Sequence, residues 1–274
     1  MKVRILTAIG LAIFGLPILF LSEYLVYPVA IGLLAVIANY EMSALSGMRK
    51  RYWVMIPAYL IALAMPIVGY YARDIGKYLI ISAFALFVYL MYTFGYAVVK
   101  KGAVKFSEVG EHFAGYAYIT VSFTALCLVR YIHNGAYYFA LVFVASWVCD
   151  SCAYFVGRAI GKHKLIPEIS PKKTVEGAIG GTLFTVAAFA LYGLIISSVS
   201  ELVPNYLVLC ILGLALAVVA QFGDLIASLI KREHGVKDYG NIFPGHGGVL
   251  DRFDSILAVA PILLAFCVVF PPFS

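Results

Sequence analysis

The sequence predicts an all-α polytopic integral membrane protein. Of its 274 residues, 63% are hydrophobic and only 12% are charged, whereas soluble domains usually carry about 25% charged residues. Apolar runs long enough to cross a bilayer, about 20 residues each, recur from one end of the chain to the other. These runs are too long and continuous for the strands of a membrane barrel, so helix is the assignment.

About nine apolar spans form what we expect to be one transmembrane domain over residues 1–274. The first span could be mistaken for a signal peptide, but no small-residue cleavage site follows it, so we interpret it as a retained helix. Residues 1–135 hold helices with few polar motifs, and residues 136–274 hold the motifs that suggest catalysis. In chain order the spans lie near residues 4–22, 25–46, 53–71, 77–99, 112–131, 136–157, 177–199, 204–230 and 250–270.

The distribution of basic residues predicts the orientation of these spans. Of the 20 Lys and Arg residues, 16 lie in one set of connecting segments, three lie in the opposite set, and one lies just inside the last span. By the positive-inside rule the N-terminus is cytoplasmic, as are the loops 158–176 and 231–249. We therefore expect a multi-pass protein of the inner (cytoplasmic) membrane. The basic residues are not interleaved as on a nucleic-acid surface, so nucleic acid is excluded as a partner.

Polar residues form a stripe on the eighth span. Gln221, Asp224, Ser228 and Lys231 follow one another at intervals of three or four residues, which places them on one helix face. A carboxylate inside a membrane span is costly and suggests a functional site. The alternative is a structural role, in which Asp224 pairs with a Lys or Arg from a neighbouring helix.

The ninth span begins with Asp251, Asp254 and Ser255 on one face, directly after the glycine-rich turn 244–248. The helix dipole alone explains one acidic residue in a first turn. A glycine-rich turn that enters a helix can also offer backbone N–H groups to a phosphate. Basic side chains flank this turn, which strengthens the second interpretation: Lys237, His246 and Arg252.

The sixth span carries Ser146, Asp150 and Tyr154 at intervals of four, which predicts one polar strip. The loop after it contains the run Ser170-Pro171-Lys172-Lys173-Thr174, and Ser170 or Thr174 could cap the seventh helix.

The pair Gly177-x-x-x-Gly181 allows another helix to approach closely, within the protomer or at a dimer interface.

Three carboxylates, those of Asp150, Asp224 and Asp251, sit near the cytoplasmic ends of three separate spans. If these ends converge, their oxygen atoms suit Mg²⁺ or a similar hard cation. Three histidines are isolated and are expected at the surface or the membrane interface: His112, His133 and His163. Glu41 stands alone in the second span, and the sequence offers no role for it.

At this point the motifs resemble a known family, the phosphatidate cytidylyltransferases (CDP-diacylglycerol synthases). The resemblance is specific over roughly residues 140–256. Two shorter runs are similar to the family, namely Asp150-x-x-Ala153-Tyr154-x-x-Gly157-Arg158 and Ser170-Pro171-Lys172-Lys173-Thr174-x-Glu176-Gly177. The longest matching run is Ser228-x-x-Lys231-Arg232-x-x-x-x-Lys237-Asp238-x-Gly240-x-x-Phe243-Pro244-x-His246-Gly247-Gly248-x-x-Asp251-Arg252-x-Asp254.

The resemblance implies that CMP passes from CTP to phosphatidic acid, giving CDP-diacylglycerol and pyrophosphate at a cation site on the cytoplasmic side. It also implies a membrane lipid substrate, a homodimer and Mg²⁺ as cofactor, and a second cation, divalent or monovalent, is compatible with the site. Asp224 and Asp251 are the expected metal ligands. The expected catalytic residues are Asp150, Lys172, Lys173, Lys237, His246, Arg252 and Asp254. The expected cofactor-binding residues are Ser170, Thr174, Lys231, Arg232, Gly247 and Gly248.

Two other functions stay open at the level of sequence. A CTP-dependent polyprenol or phytol kinase would transfer the γ-phosphoryl group and release CDP, but the full signature argues against it. An ion-coupled transporter would use the carboxylates as an ion path. Transporters place such residues near the bilayer midplane, often within inverted repeats, and neither arrangement is evident in the sequence.

Overall fold

The computed structural model describes residues 21–72, 75–101 and 103–274. A π-helical turn, Val144–Val148, joins two of its helices into one span. The two strands in the described residues are β1 (Lys164–Ile166) and β2 (Ser170–Thr174). The helices are α1 (Val26–Leu45), α2 (Tyr52–Tyr71), α3 (Ile75–Val99), α4 (Phe106–Val129), α5 (Gly135–Phe143), α6 (Cys149–Ile160), α7 (Val175–Val199), α8 (Tyr206–Glu233) and α9 (Leu250–Val269).

Eight spans among the described residues are long and apolar enough to cross a membrane, and α5, the π-helical turn and α6 together make one of them. These eight agree with eight of the nine predicted spans to within a few residues. The remaining one, near 4–22, lies almost wholly outside the described residues. The prediction of an all-α polytopic membrane protein is confirmed.

The chain divides into two compact units, and the first comprises the described residues up to 128 together with residues 238–252. Within it, buried polar side chains tie the helices together. Asn39 on α1 donates to Thr120 on α4 at 3.1 Å, and the Tyr89 hydroxyl on α3 lies 2.7 Å from His112 Nε2 on α4. His112 is only 3% exposed, so its predicted surface position is wrong. Its ring is buried because a tyrosine from the neighbouring helix shares its hydrogen bond.

The second unit comprises residues 129–237 and 253–274. Helix α7 packs along both α6 and α8, and these two helices also contact each other. Asn205 caps α8 by accepting from the Val208 N–H. The C-terminal residues are held by backbone bonds between Val203 and Ser274, while the Phe273 ring stacks on Tyr138.

Glycine lets α6 and α7 approach each other closely. A Cβ at Gly177 would lie 2.6 Å from the Ala153 carbonyl oxygen, and one at Gly181 would lie 2.8 Å from that of Cys149. Such distances leave no room for a side chain. The glycine pair therefore serves packing within the protomer, which the sequence alone left undecided.

The loop between α6 and α7 contains a feature absent from the sequence-based interpretation, the antiparallel hairpin of β1 and β2. Residues 170–174 form β2 although they contain a proline and two lysines. Short strands with so little apolar alternation give no period-two signal. The hairpin packs against α7 and, through β2, against α6. This packing places the two lysines of β2, Lys172 and Lys173, beside these helices.

The π-helical turn corrects the predicted polar strip on the sixth span. Ser146 lies within the turn and is fully buried, whereas Asp150 and Tyr154 are exposed. A π-helical turn holds more residues than an α-helical one, so the spacing of four no longer places Ser146 on the face of the other two.

Candidate active site

A cleft of about 330 Å³ opens in the second unit, between α6, the hairpin, α7 and α8. Two carboxylates, Asp150 and Asp224, line it. Four basic side chains line it as well: Arg158, Lys164, Lys172 and Lys173. The lining of the cleft thus combines four cationic groups with two carboxylates. This arrangement suits a ligand that carries several phosphate groups.

Lys173 and Asp224 form an ion pair across the cleft, with Nζ 2.6 Å from Oδ2. Their side chains are 25% and 27% exposed, but the Lys173 Nζ atom itself is buried. Asp224 therefore does have the basic partner considered from the sequence, although that partner comes from the hairpin instead of a neighbouring helix. This pair fixes β2 to the polar stripe of α8.

Three carboxylates of the second unit lie close enough to repel one another, those of Asp150, Asp224 and Asp254. Asp150 accepts a bond from the Ser255 hydroxyl at 3.3 Å, and Lys231 attracts Asp254 electrostatically. Carboxylates at such proximity destabilise each other's charge, and a nearby positive charge relieves this repulsion. Lys173 supplies part of it, since it acts on Asp150 as well as on Asp224.

Thr174 connects the hairpin to α7. Its hydroxyl accepts the Gly177 N–H at 3.2 Å, so Thr174 is the cap of this helix, as one of the two predicted candidates. Glu176 in the first turn binds His163, whose Nδ1 lies 2.6 Å from Oε1. The His163 side chain is 79% exposed, as the sequence predicted, although Glu176 gives it a partner. These bonds set the position of the two lysines of β2 relative to the start of α7.

An apolar groove of about 360 Å³ adjoins the cleft and shares Leu165, Ala178 and Gln221 with it. Its walls carry exposed apolar side chains of α7 and α8, among them Leu183 and Phe222. At the junction, Gln221 Nε2 donates to the Thr182 hydroxyl at 3.0 Å and to the Ala178 carbonyl at 3.3 Å. The polar cleft and the apolar groove thus meet at three shared residues, of which Gln221 has a polar side chain.

The loop 238–249 and the start of α9 belong to the first unit. Asp251 is only 6% exposed and accepts the N–H groups of Tyr239 at 2.8 Å and Gly248 at 3.0 Å. The N–H groups of Val249 and Leu250 donate to Glu41. Within the turn 244–248, the Gly248 N–H thus donates to a carboxylate of the protein, and phosphate binding by the turn stays a prediction.

The carboxylates suit a hard cation chemically, because all their donors are oxygen atoms. Within the described residues, no three His, Cys, Asp or Glu side chains are arranged as a ready metal site. In the second unit, Asp150, Asp224 and Asp254 interact through their charges. We therefore judge the donor set compatible with Mg²⁺, and the assignment of particular ligands stays a prediction.

Comparison with known proteins decides the family. A sequence model of the cytidylyltransferase family matches residues 2–270. The chain belongs to the cytidylyltransferase family. It is accordingly a nucleotidyltransferase.

Several curated relatives resemble this cytidylyltransferase over nearly its whole length. The phosphatidate cytidylyltransferase of Staphylococcus epidermidis is 37% identical over 264 residues, which cover 96% of this chain and 97% of the relative. That of Bacillus subtilis strain 168 is 37% identical over 270 residues, 96% of each chain. That of Staphylococcus aureus strain COL is 36% identical over 264 residues, 96% of this chain and 97% of the relative.

The structure gathers part of the predicted site of this cytidylyltransferase into the cleft. Asp150, Lys172, Lys173, Thr174 and Asp224 line it. The other predicted residues of the second unit do not line it, and these are Ser170, Lys231, Arg232, Lys237 and Asp254. The predicted residues of the first unit are His246, Gly247, Gly248, Asp251 and Arg252.

The sequence analysis did not identify four polar residues of the cleft as ligand-binding candidates: Tyr154, Arg158, Lys164 and Gln221. Arg158 and Lys164 were counted toward the orientation of the spans, which gives every Lys and Arg of those segments the same explanation and no individual role. Gln221 was placed correctly on the polar stripe, but its position at the apolar groove depends on the packing of α7 against α8. The position of Arg158 in the family-like run was the available signal.

Proposed function

We propose that this cytidylyltransferase transfers CMP from CTP to phosphatidic acid, giving CDP-diacylglycerol and pyrophosphate. One observation carries the proposal, the cleft with four basic side chains that adjoins an apolar groove. A nucleoside triphosphate needs the first compartment and the acyl chains of a lipid need the second. The names of the relatives agree with this substrate pair.

The chemistry requires little more than positioning and charge. A phosphate oxygen of phosphatidic acid attacks the α-phosphorus of CTP, a new P–O bond forms, and the bond from that phosphorus to the bridging oxygen breaks. Pyrophosphate leaves with the electron pair. Because the attacking oxygen is already an anion, the step needs no strong base, and cationic groups around the phosphates lower the barrier.

Individual residues of the cleft take distinct parts in this proposal. Lys172 and Arg158 are exposed, line the cleft and bind phosphate oxygens. Lys173 neutralises Asp224 and contributes the remaining charge. Gln221 marks the boundary at which the headgroup of the lipid ends and its acyl chain begins. The roles predicted for Lys237, His246 and Arg252 in holding the phosphates remain part of the proposal.

Mg²⁺ is the proposed cofactor, and it would neutralise phosphate charge and draw electron density from the α-phosphorus. Asp224 is the proposed ligand in the second unit, with Asp150 and Asp254 beside it. Asp251 is the ligand proposed from the family motif, although its carboxylate also binds two backbone N–H groups. A second cation is compatible with this many carboxylates.

The proposed membrane location and the proposed dimer both rest on the sequence. The excess of basic residues in one set of segments supports a site on the cytoplasmic face of the inner membrane, where CTP is available. A homodimer is proposed from the family resemblance.

The decisive experiment measures pyrophosphate release by the purified protein in detergent, with CTP, phosphatidic acid and Mg²⁺. We expect release only when all three are present, together with a CDP-lipid product. Separate reactions omit each component in turn, and a reaction with a polyprenol replaces the phosphatidic acid.

Two outcomes would contradict the proposal. Release of CDP with the lipid alcohol, and no product with phosphatidic acid, would identify a kinase. Absence of turnover with either lipid, in protein that elutes as a single folded species, would favour the transporter. A Lys172→Gln variant serves as a further test, because its KM for CTP should rise while a Glu168→Gln variant on the same hairpin, outside the cleft, should retain the native value.

A further inference from the structure

Helix α1 carries a buried carboxylate whose role the sequence does not reveal. Glu41 is 3% exposed. Its Oε1 accepts the Val249 N–H and its Oε2 accepts the Leu250 N–H, each at 2.9 Å. These two donors stand at the beginning of α9, where the helix dipole favours negative charge. Glu41 thus caps a helix that begins 209 residues later in the chain.

The glycine-rich loop folds against this carboxylate. A Cβ at Gly240 would lie 2.6 Å from Glu41 Oε1, and a Cβ at Gly248 would collide with the same group. Both positions must lack a side chain because the backbone passes so near. Glycine in this loop therefore provides close approach to a protein carboxylate, in place of the approach to a phosphate that the sequence suggested.

Asp251 completes the arrangement from within the loop. It accepts the N–H groups of Tyr239 and Gly248, so two carboxylates together accept four backbone N–H groups. Between these anchors, the Phe243 N–H donates to the Gly247 carbonyl and the His246 N–H donates to the Phe243 carbonyl. The conformation of the loop that carries His246 is thus specified from both ends.

We propose that Glu41 is a positioning residue, which holds the loop 238–249 and the first turn of α9 in the conformation that the reaction uses. This inference rests on the proposed function, because it is that reaction which the loop serves. Glu41 touches no reacting atom; it acts through the backbone of Val249 and Leu250. Charged acceptors give stronger bonds than neutral ones, which explains a glutamate where a glutamine of the same size would fit.

The test compares Glu41→Gln with a control on the same helix. Asn39→Ala also removes a buried polar group of α1, with bonds to the Ala35 carbonyl and to Thr120, but none to the loop. Hydrogen exchange of the Val249 and Leu250 amides is measured in detergent without substrate. We expect exchange in Glu41→Gln to be about 10- to 100-fold faster, and exchange in Asn39→Ala to stay close to the native rate.

Kinetics supply the second readout. We expect kcat/KM for CTP to fall about 10-fold in Glu41→Gln, and Glu41→Asp, which keeps both acceptor oxygens, to recover part of the loss. Native exchange rates in Glu41→Gln would overturn the proposal. So would equal acceleration of these amides in Asn39→Ala, or faster exchange with unchanged kcat/KM. If the native protein did not turn over at all, the proposed function would fail while the exchange data would still test the anchoring by Glu41.

Discussion

The cleft of the second unit and the loop 238–252 of the first unit place similar residues in opposite environments. In the cleft, Asp150 and Lys172 are exposed, and the pair of Lys173 and Asp224 remains partly open. At the loop, Asp251 and the α1 residue Glu41 are buried and accept backbone N–H groups. A carboxylate on a membrane helix can therefore bind a ligand or organise the protein's own backbone, and its sequence context alone does not distinguish the two.

The largest expected effect concerns the cleft. Asp224→Asn removes the charge that pairs with Lys173 and acts on two other carboxylates, so we expect turnover to fall at least about 100-fold. Because the side chain is partly exposed, the thermal unfolding temperature should change little. Pyrophosphate release and unfolding of the detergent-solubilised protein measure the two effects.

Glu201→Gln is the matched control for this prediction, since it removes an exposed acidic charge before α8 and should leave turnover unchanged. Retention of more than about a tenth of native turnover by Asp224→Asn would remove Asp224 from the proposed mechanism. A cycle with Lys173→Gln adds a further check, because residues in direct contact should give non-additive effects.

The second effect concerns the loop and should appear as a loss of stability. Asp251→Asn weakens two bonds to backbone N–H groups, so we expect the free energy of unfolding to fall by about 3 kcal/mol. The unfolding temperature of Asp251→Asn should therefore lie several degrees below that of Asp224→Asn. Equal unfolding temperatures would mean that the loop and the cleft do not differ in the way described.

The smallest expected effect concerns the close packing of α6 against α7. Gly177→Ala brings a Cβ against the Ala153 carbonyl oxygen, and we expect a loss of about 1–2 kcal/mol in unfolding free energy. Gly95→Ala on α3 is the control, because no atom lies within 4 Å of its Cβ and alanine favours a helix. Chemical denaturation of both variants measures the difference. If both variants were equally stable, the close packing of α6 on α7 would not constrain the cleft wall.

The sequence was sufficient to predict the spans and about half of the polar residues that line the cleft. Hydrophobic runs of span length determine the helices, and polar groups such as Asp150 and Asp224 stand out within them because burying a charge in a membrane is costly. The hairpin was not predictable, since strands of three and five residues give no periodic signal. The role of Glu41 was equally hidden, because its partners are backbone groups more than 200 residues away.

The π-helical turn at Val144–Val148 has a consequence for how this span tolerates changes in length. A π-helical turn corresponds to one residue inserted into an α-helix, and each residue of an α-helix advances the direction of its side chains by about 100°. Deletion of a single residue there would leave an unbroken α-helix of almost the same apolar length, still able to cross the bilayer. The same deletion would turn Asp150 about a quarter of a revolution away from the cleft, so a chain that still inserts would lose one of the carboxylates that line the cleft.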